Sequence, residues 1–229
     1  MHSSSPKESS PLAVIFDMDG ILIDSVELNW KAINQALAPS GVKVNGTDIS
    51  QYLGKTLENQ LERINDVFHI KLDYAEFASD VSQIKSSLLE DLSPKPGVSE
   101  LLKGLTKAHI PFTVATSTSR AIAKQYLDIT GLLAYFDTDT IVAAEDVVKH
   151  KPDPEVYVKA AKALGVNPAK CVVVEDAPAG VQAAKVAGMS CIALSTTYVS
   201  GKDLRIADLI IPSMEAINLS IIQSVVDNS

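Results

Sequence analysis

The chain has 229 residues, of which 46% are hydrophobic and 21% are charged, a composition typical of a soluble globular protein. Its formal net charge of −8 argues against nucleic acid as a partner, because binding to a phosphate backbone requires a basic surface. No membrane-spanning apolar stretch occurs, and the polar residues 1–11 lack the apolar stretch of a signal peptide, so we expect a disordered leader on a cytoplasmic protein that contacts no membrane.

Apolar runs and helical patterns alternate along most of the chain. The run 12–17 predicts a buried strand, and helical patterns follow near 25–38, 57–68 and 74–91, with turn-rich segments between them. After Pro94 the predicted order is helix 98–108, strand 112–116, helix 119–129, strand 140–143, a helix that begins after Pro154, strand 171–175, a helix that ends near Gly188, and strands 190–195 and 208–211.

This order of elements predicts an α/β fold. Strands that alternate with helices of ten to fifteen residues form right-handed βαβ units, and these build a doubly wound parallel sheet. The helical residues 26–92 are then an inserted, all-helical cap domain, whereas 12–25 and 93–229 form the core domain. Cys171 and Cys191 begin apolar runs, which predicts two reduced thiols in the core.

Polar side chains follow several of the predicted strands directly. Because the carboxyl ends of parallel strands meet at one edge of a sheet, we expect these side chains to share a crevice there. Lys151, in a loop rich in proline, is expected beside them. The residues after the strands are Asp17 and Asp19, then Thr116 and Ser117, then Glu175 and Asp176.

The charges in this set predict a bound cation. Four carboxylates face one lysine, and two like charges about 4 Å apart repel by about 4 kcal/mol even at an effective dielectric constant of about 20. A hard divalent cation removes this conflict, and ligands that are all oxygen favour magnesium over zinc or copper. The candidate Mg²⁺ ligands are Asp17, Asp19, Glu175 and Asp176.

The remaining groups of the crevice suit a phosphate ester. Lys151 supplies a compact positive charge, and Thr116 and Ser117 supply hydrogen-bond donors for phosphate oxygens. One aspartate is then able to attack phosphorus, and the other to protonate the leaving alkoxide. In the predicted cap, Lys55 either reaches a carboxylate or second phosphate of the substrate or is a solvated loop lysine.

This arrangement resembles the haloacid dehalogenase superfamily, and in particular its β-phosphoglucomutase-like branch with a helical C1 cap. DMDG, FTVAT, Lys151 and VVEDAPAG correspond to the four motifs of that family. The resemblance implies that Asp17 is the nucleophile, that Asp19 is the general acid and base with its backbone carbonyl on the metal, and that Asp176 binds magnesium. It assigns Glu175 as a ligand or as a support for one, and Thr116 and Lys151 as phosphate-binding residues.

Two departures from this branch favour a phosphatase over a phosphosugar mutase. Asn29 stands where the mutases carry a histidine, and Leu57 stands where they carry an arginine. We therefore expect a magnesium-dependent phosphatase of sugar, polyol or glycolate phosphates, acting on a small phosphorylated metabolite as a monomer or weak homodimer. The alternatives are a phosphosugar mutase and, from another class, a phospho-receiver or binder without catalytic activity.

Overall fold

The computed structural model describes residues 12–49, 52, 56–196, 199 and 204–228. The expected leader and Lys55 lie outside these residues. The centre of the described part is a five-stranded sheet in which every pair of neighbouring strands is parallel, in the order β2-β1-β3-β4-β5. The strands are β1 (Ala13–Phe16), β2 (Phe112–Val114), β3 (Cys171–Glu175), β4 (Ser190–Leu194) and β5 (Leu209–Ile211).

Helices cover both faces of this sheet, as expected for a doubly wound fold. Val14 and Phe16 pack on one face with α5 (Val98–Lys107), α6 (Arg120–Ile129) and α9 (Leu219–Asp227). Ala13 and Ile15 pack on the opposite face with α7 (Glu155–Leu164) and α8 (Pro178–Val186). Successive strand residues point to opposite faces, and helices cover both of these faces. Every residue of β1 is therefore buried. The predicted α/β class is confirmed.

The helices between β1 and α5 have an apolar core of their own. They are α1 (Ser25–Leu37), α2 (Gly46–Ile49), α3 (Leu57–Phe68) and α4 (Tyr74–Ser87). Trp30 and Tyr52 lie in this core with their ring centroids 5.5 Å apart. Two connections lead to the sheet, and they are joined by hydrogen bonds from Asp24 N to Ser93 O and from Lys95 N to Leu22 O. The division into a cap domain of residues 26–92 and a core domain remains a proposal.

Two local predictions differ from the structure, and two helices have no counterpart among the predictions. Residues 140–143 do not form a strand, since Val142 alone makes an isolated bridge, to Ala115. The neighbouring backbone groups form hydrogen bonds with polar side chains instead of with a strand: Arg120 donates to Ile141 O, and Asp146 accepts from Ala143 N. The helix predicted over 74–91 ends at Ser87 and is followed by a 3-10 turn, Leu89–Asp91. Helices α2 and α9 were not predicted.

Two further expectations concern the cysteines and the membrane. Cys171 and Cys191 are buried and form no disulfide, as predicted. Burial raises the pKa of the Cys171 thiol to about 11, so this thiol stays protonated at neutral pH. Among the helices of the described residues, none combines the length and the apolar character that a membrane crossing requires.

Candidate active site

The carboxyl edge of the sheet holds most of the predicted site residues around one cavity of about 750 Å³. Asp17 follows β1 directly, and Glu175 is the last residue of β3. The predicted site residues that line the cavity are Asp17, Asp19, Ser117, Lys151, Glu175 and Asp176. Thr116 lies two residues after β2 and is 1% exposed. The crevice expected from the strand ends is therefore present in the described part of the chain.

Lys151 connects two carboxylates at the base of this cavity. Its Nζ lies 2.6 Å from Asp17 Oδ1 and 2.8 Å from Glu175 Oε1. Burial on its own lowers the pKa of Lys151, but the charges of Asp17 and Glu175 outweigh burial and raise this pKa well above its ordinary value. The ammonium group therefore stays protonated across the physiological pH range.

Both carboxylate oxygens of Glu175 accept hydrogen bonds from neighbouring groups. Oε1 accepts hydrogen bonds from Lys151 and from the Tyr157 hydroxyl, the latter at 3.0 Å. Oε2 accepts the backbone N–H groups of Asp176 and Ala177, both at 2.7 Å. Glu175 thereby fixes both the lysine and the turn that carries Asp176. Tyr157 was not predicted from the sequence, because its role depends on a contact between α7 and β3.

The carboxylate of Glu175 has room only because residue 180 is glycine. A Cβ at Gly180 would lie 1.6 Å from Glu175 Oε1. We expect Gly180→Ala to displace this buried carboxylate from its four hydrogen bonds and to lower the free energy of unfolding by about 2–4 kcal/mol. Urea unfolding measures the change.

The matched control for this substitution is Gly104→Ala in α5, where an added Cβ meets nothing within 4 Å. Alanine at such an interior helix position should stabilise the protein by about 0.5–1 kcal/mol. Equal unfolding free energies for the two variants would show that Gly180 has no special relation to Glu175.

Ionisation of the Asp17 and Asp176 side chains is unfavourable at their buried positions. Burial raises the pKa of Asp17 to about 7, since Lys151 offsets burial only in part and the charges of Glu175 and Asp19 add to it. Burial, together with Glu175 and Asp17, raises the pKa of Asp176 well above its ordinary value. A cation beside these two groups would relieve both penalties.

The turn after Asp19 brings Asp176 close to the first strand. Gly20 has φ +84°, and a Cβ there would lie 2.1 Å from Asp176 Oδ2. The absence of a side chain therefore permits both the left-handed backbone and the close approach of the carboxylate. In the described residues, no group of three or more His, Cys, Asp or Glu side chains is placed to hold a metal ion.

Asp19 is oriented by hydroxyl groups. Ser25 Oγ donates to Asp19 Oδ1 at 2.5 Å, and Thr118 Oγ1 donates to Asp19 Oδ2 at 2.7 Å. Thr116 Oγ1 makes a longer contact with the same Oδ2 at 3.4 Å and also accepts the Thr118 N–H. Sequence reasoning missed Ser25 and Thr118, although both are hydroxyl residues next to predicted site elements.

The chain is similar in sequence to known proteins. Residues 14–194 match the family model "Haloacid dehalogenase-like hydrolase". Hexitol phosphatase A of Escherichia coli strain K12 is 34% identical over 90% of this chain and 93% of its own length. Fructose-1-phosphate phosphatase YqaB of the same organism is 33% identical over 78% and 94%, respectively.

A solved structure extends the match to the fold. CbbY from Rhodobacter sphaeroides, in complex with phosphate, superposes with a TM-score of 0.73 at 25% identity and covers 93% of this chain and 99% of that one. The match of the family model and the identity to the two phosphatases establish that this chain belongs to the haloacid dehalogenase-like hydrolases.

Proposed function

We propose that the protein is a magnesium-dependent phosphatase that hydrolyses small phosphomonoesters, such as sugar or polyol phosphates, through an aspartyl-phosphate. The observation that carries this proposal is the contact of 2.6 Å between Lys151 and the buried Asp17. Asp19, two residues later in the chain, lines the same cavity. The relatives' names, hexitol phosphatase and fructose-1-phosphate phosphatase, support the substrate class.

In the proposed first step, a carboxylate oxygen of Asp17 attacks the phosphorus atom, and the ester bond to the leaving alcohol breaks. Asp19 gives its proton to the departing oxygen, so that the product leaves as a neutral alcohol. In the second step Asp19 takes a proton from a water molecule, whose oxygen attacks the phosphorus and releases inorganic phosphate. Both aspartates then return to their starting forms.

Lys151 and its partners prepare the site for this transfer. The lysine Nζ lies 2.6 Å from Asp17 Oδ1 and would neutralise charge on the phosphoryl group, and Glu175 holds the lysine at 2.8 Å. Ser117, at the cavity wall, and Thr116 are the proposed donors to phosphate oxygens. The hydroxyls of Ser25 and Thr118 keep Asp19 in one orientation.

Two carboxylates and a backbone carbonyl fit a magnesium ion. Magnesium is commonly held by one or two carboxylates and completed by water and phosphate oxygens, so a cluster of three acidic side chains is not required. The proposed ligands are Asp17, Asp176 and the Asp19 carbonyl, whereas both oxygens of Glu175 are already hydrogen-bonded. When bound, the ion supplies positive charge to the phosphoryl oxygens. The raised pKa values of Asp17 and Asp176 support this assignment.

The same geometry favours a phosphatase over a phosphosugar mutase. Asn29 accepts a hydrogen bond from Lys85 at 3.4 Å. It stands at the position where mutases of the β-phosphoglucomutase-like branch carry a histidine. An amide side chain does not ionise near neutral pH and therefore offers no acid–base catalysis to a second sugar hydroxyl.

Hydrolysis of 4-nitrophenyl phosphate with and without EDTA tests the proposed function. We expect EDTA to lower kcat by at least about 10²-fold, because the buried carboxylates then lack their counterion, and added Mg²⁺ to restore it. EDTA that is already saturated with Mg²⁺ serves as the control. Undiminished hydrolysis in free EDTA would contradict the magnesium assignment, and no hydrolysis under any condition would contradict the phosphatase itself.

A further inference from the structure

The active-site cavity continues well beyond Asp17, toward the ends of β4 and β5. Much of its described wall there is apolar, with side chains from α1, from the end of β4 and from the connections around them. The apolar residues of this wall include Val26, Pro96, Leu194, Val199, Pro212 and Met214. This space is where the alcohol part of a substrate would lie when its phosphoryl group is next to Asp17.

Among the described residues that line the cavity, negative charges outnumber positive ones. Six carboxylates line the described part of its wall, and the lysines among the described lining residues are Lys95 and Lys151. Each of these lysines already has a carboxylate partner, because Lys95 Nζ lies 3.4 Å from Asp24 Oδ1 and Lys151 is held by Asp17 and Glu175. Glu27, exposed in the first turn of α1, adds a negative charge to the wall.

We infer that this cavity selects phosphomonoesters whose leaving alcohol carries no negative charge, with Glu27 as the residue that excludes acidic alcohols, since the charge of Asp24 is balanced by Lys95. This inference rests on the proposed phosphatase function and narrows its substrate class. The hydroxyl groups of a polyol are able to donate hydrogen bonds to the carboxylates of Glu27 and Asp24. Its carbon chain is able to pack against the apolar wall. A carboxylate or second phosphate of the substrate at the same place is repelled by negative charge. Lys95 and Lys151 do not offset this repulsion, because each is already paired with a carboxylate of the protein.

The expected size of this selection follows from simple electrostatics. Two unit charges about 8 Å apart at an effective dielectric constant of about 30 change an equilibrium about tenfold. Glu27 alone therefore predicts a preference of about tenfold for the uncharged alcohol. Because salt screens charges of this kind, the preference should fall as ionic strength rises.

A pair of substrates that differ in a single group provides the test. Glucitol 6-phosphate and 6-phosphogluconate share one carbon skeleton and differ in whether carbon 1 is a hydroxymethyl group or a carboxylate. The full chain with Mg²⁺ should show a kcat/KM about tenfold higher for glucitol 6-phosphate. In Glu27→Lys this ratio should fall by about tenfold or more, since a repulsive charge is replaced by an attractive one.

The matched control is Glu100→Lys. Glu100 is likewise an exposed glutamate in the first turn of a helix, α5, but it is not among the residues that line this cavity. The substitution makes the same change in net charge, so it should leave the ratio of kcat/KM values within about twofold of the wild type. Thermal unfolding of both variants verifies that they are folded.

The outcomes separate this inference from the proposed function. Hydrolysis of 6-phosphogluconate at least as fast as of glucitol 6-phosphate, or an equal change of the ratio in Glu27→Lys and Glu100→Lys, overturns the inference alone. So does activity on 4-nitrophenyl phosphate with neither sugar ester cleaved. A preference for the acid that Lys55→Met abolishes would assign the selection to Lys55. Loss of hydrolysis of every ester would overturn the phosphatase proposal itself.

Discussion

Asp17→Asn is expected to lower kcat for every phosphomonoester by at least about 10⁴-fold, because an amide is not a nucleophile toward phosphorus. Asparagine has nearly the same shape as aspartate, and Lys151 keeps Glu175 as a charged partner at 2.8 Å. The fold should therefore survive the substitution. Steady-state hydrolysis of 4-nitrophenyl phosphate measures the loss, and Asp66→Asn, at an exposed position of α3, is the control with the same change of group.

The stability of this variant provides a check that does not depend on activity. Without a cation, the folded protein holds a proton on Asp17 up to about pH 7, whereas the unfolded chain releases it near pH 4. The associated stability is fully present below about pH 4 and is lost as the pH rises through 7. At pH 8 in EDTA, Asp17→Asn should therefore be at least as stable to urea as the wild type. A strongly destabilised variant would mean that Asp17 is needed for folding.

Asp19→Asn is expected to give the second large effect, a decrease of about 10²- to 10⁴-fold in kcat, because the leaving alkoxide and the attacking water both lose their proton-transfer partner. The two steps should respond differently when the leaving group is 4-nitrophenolate, which departs without protonation. Attack by Asp17 should continue while attack by water slows. Rapid mixing should then show a burst of 4-nitrophenolate followed by slow turnover.

The hydroxyls around Asp19 make this result specific. Asparagine at this position can accept from one of the Ser25 and Thr118 hydroxyls through its amide oxygen and donate to the other through its amide nitrogen, so the side chain should keep its place. Slow turnover without a burst would show that Asp19 is required before the ester bond breaks. Wild-type rates in this variant would exclude Asp19 as the acid and base.

The sequence predicted the position of the candidate site because that position follows from topology alone. Asp17, Glu175 and Asp176 come directly after apolar runs, and parallel strands place such residues at one edge. The helices were predictable for a related reason. In α5, for example, Leu101, Leu102 and Leu105 recur at the spacing of one buried helix face.

The parts that were not predicted depend on contacts between distant segments. Tyr157 and Gly180 are ordinary residues of α7 and α8 until the fold brings them to Glu175. Val142 has the side chain of a strand residue, but Arg120 and Asp146 take the neighbouring backbone groups of 141 and 143. Neither arrangement has a signal in local composition or periodicity.

The phosphorylation state of Asp17 during turnover tests the central claim most directly. Asp19→Asn, quenched in acid during hydrolysis of 4-nitrophenyl phosphate and digested, should yield a peptide containing Asp17 that carries the mass of one phosphoryl group. Hydroxylamine should remove this group, as it does from an acyl phosphate, and the Asp17→Asn/Asp19→Asn double variant should not acquire it. A phosphoryl group on another residue, or an unmodified peptide after a burst of product, would contradict the proposed mechanism.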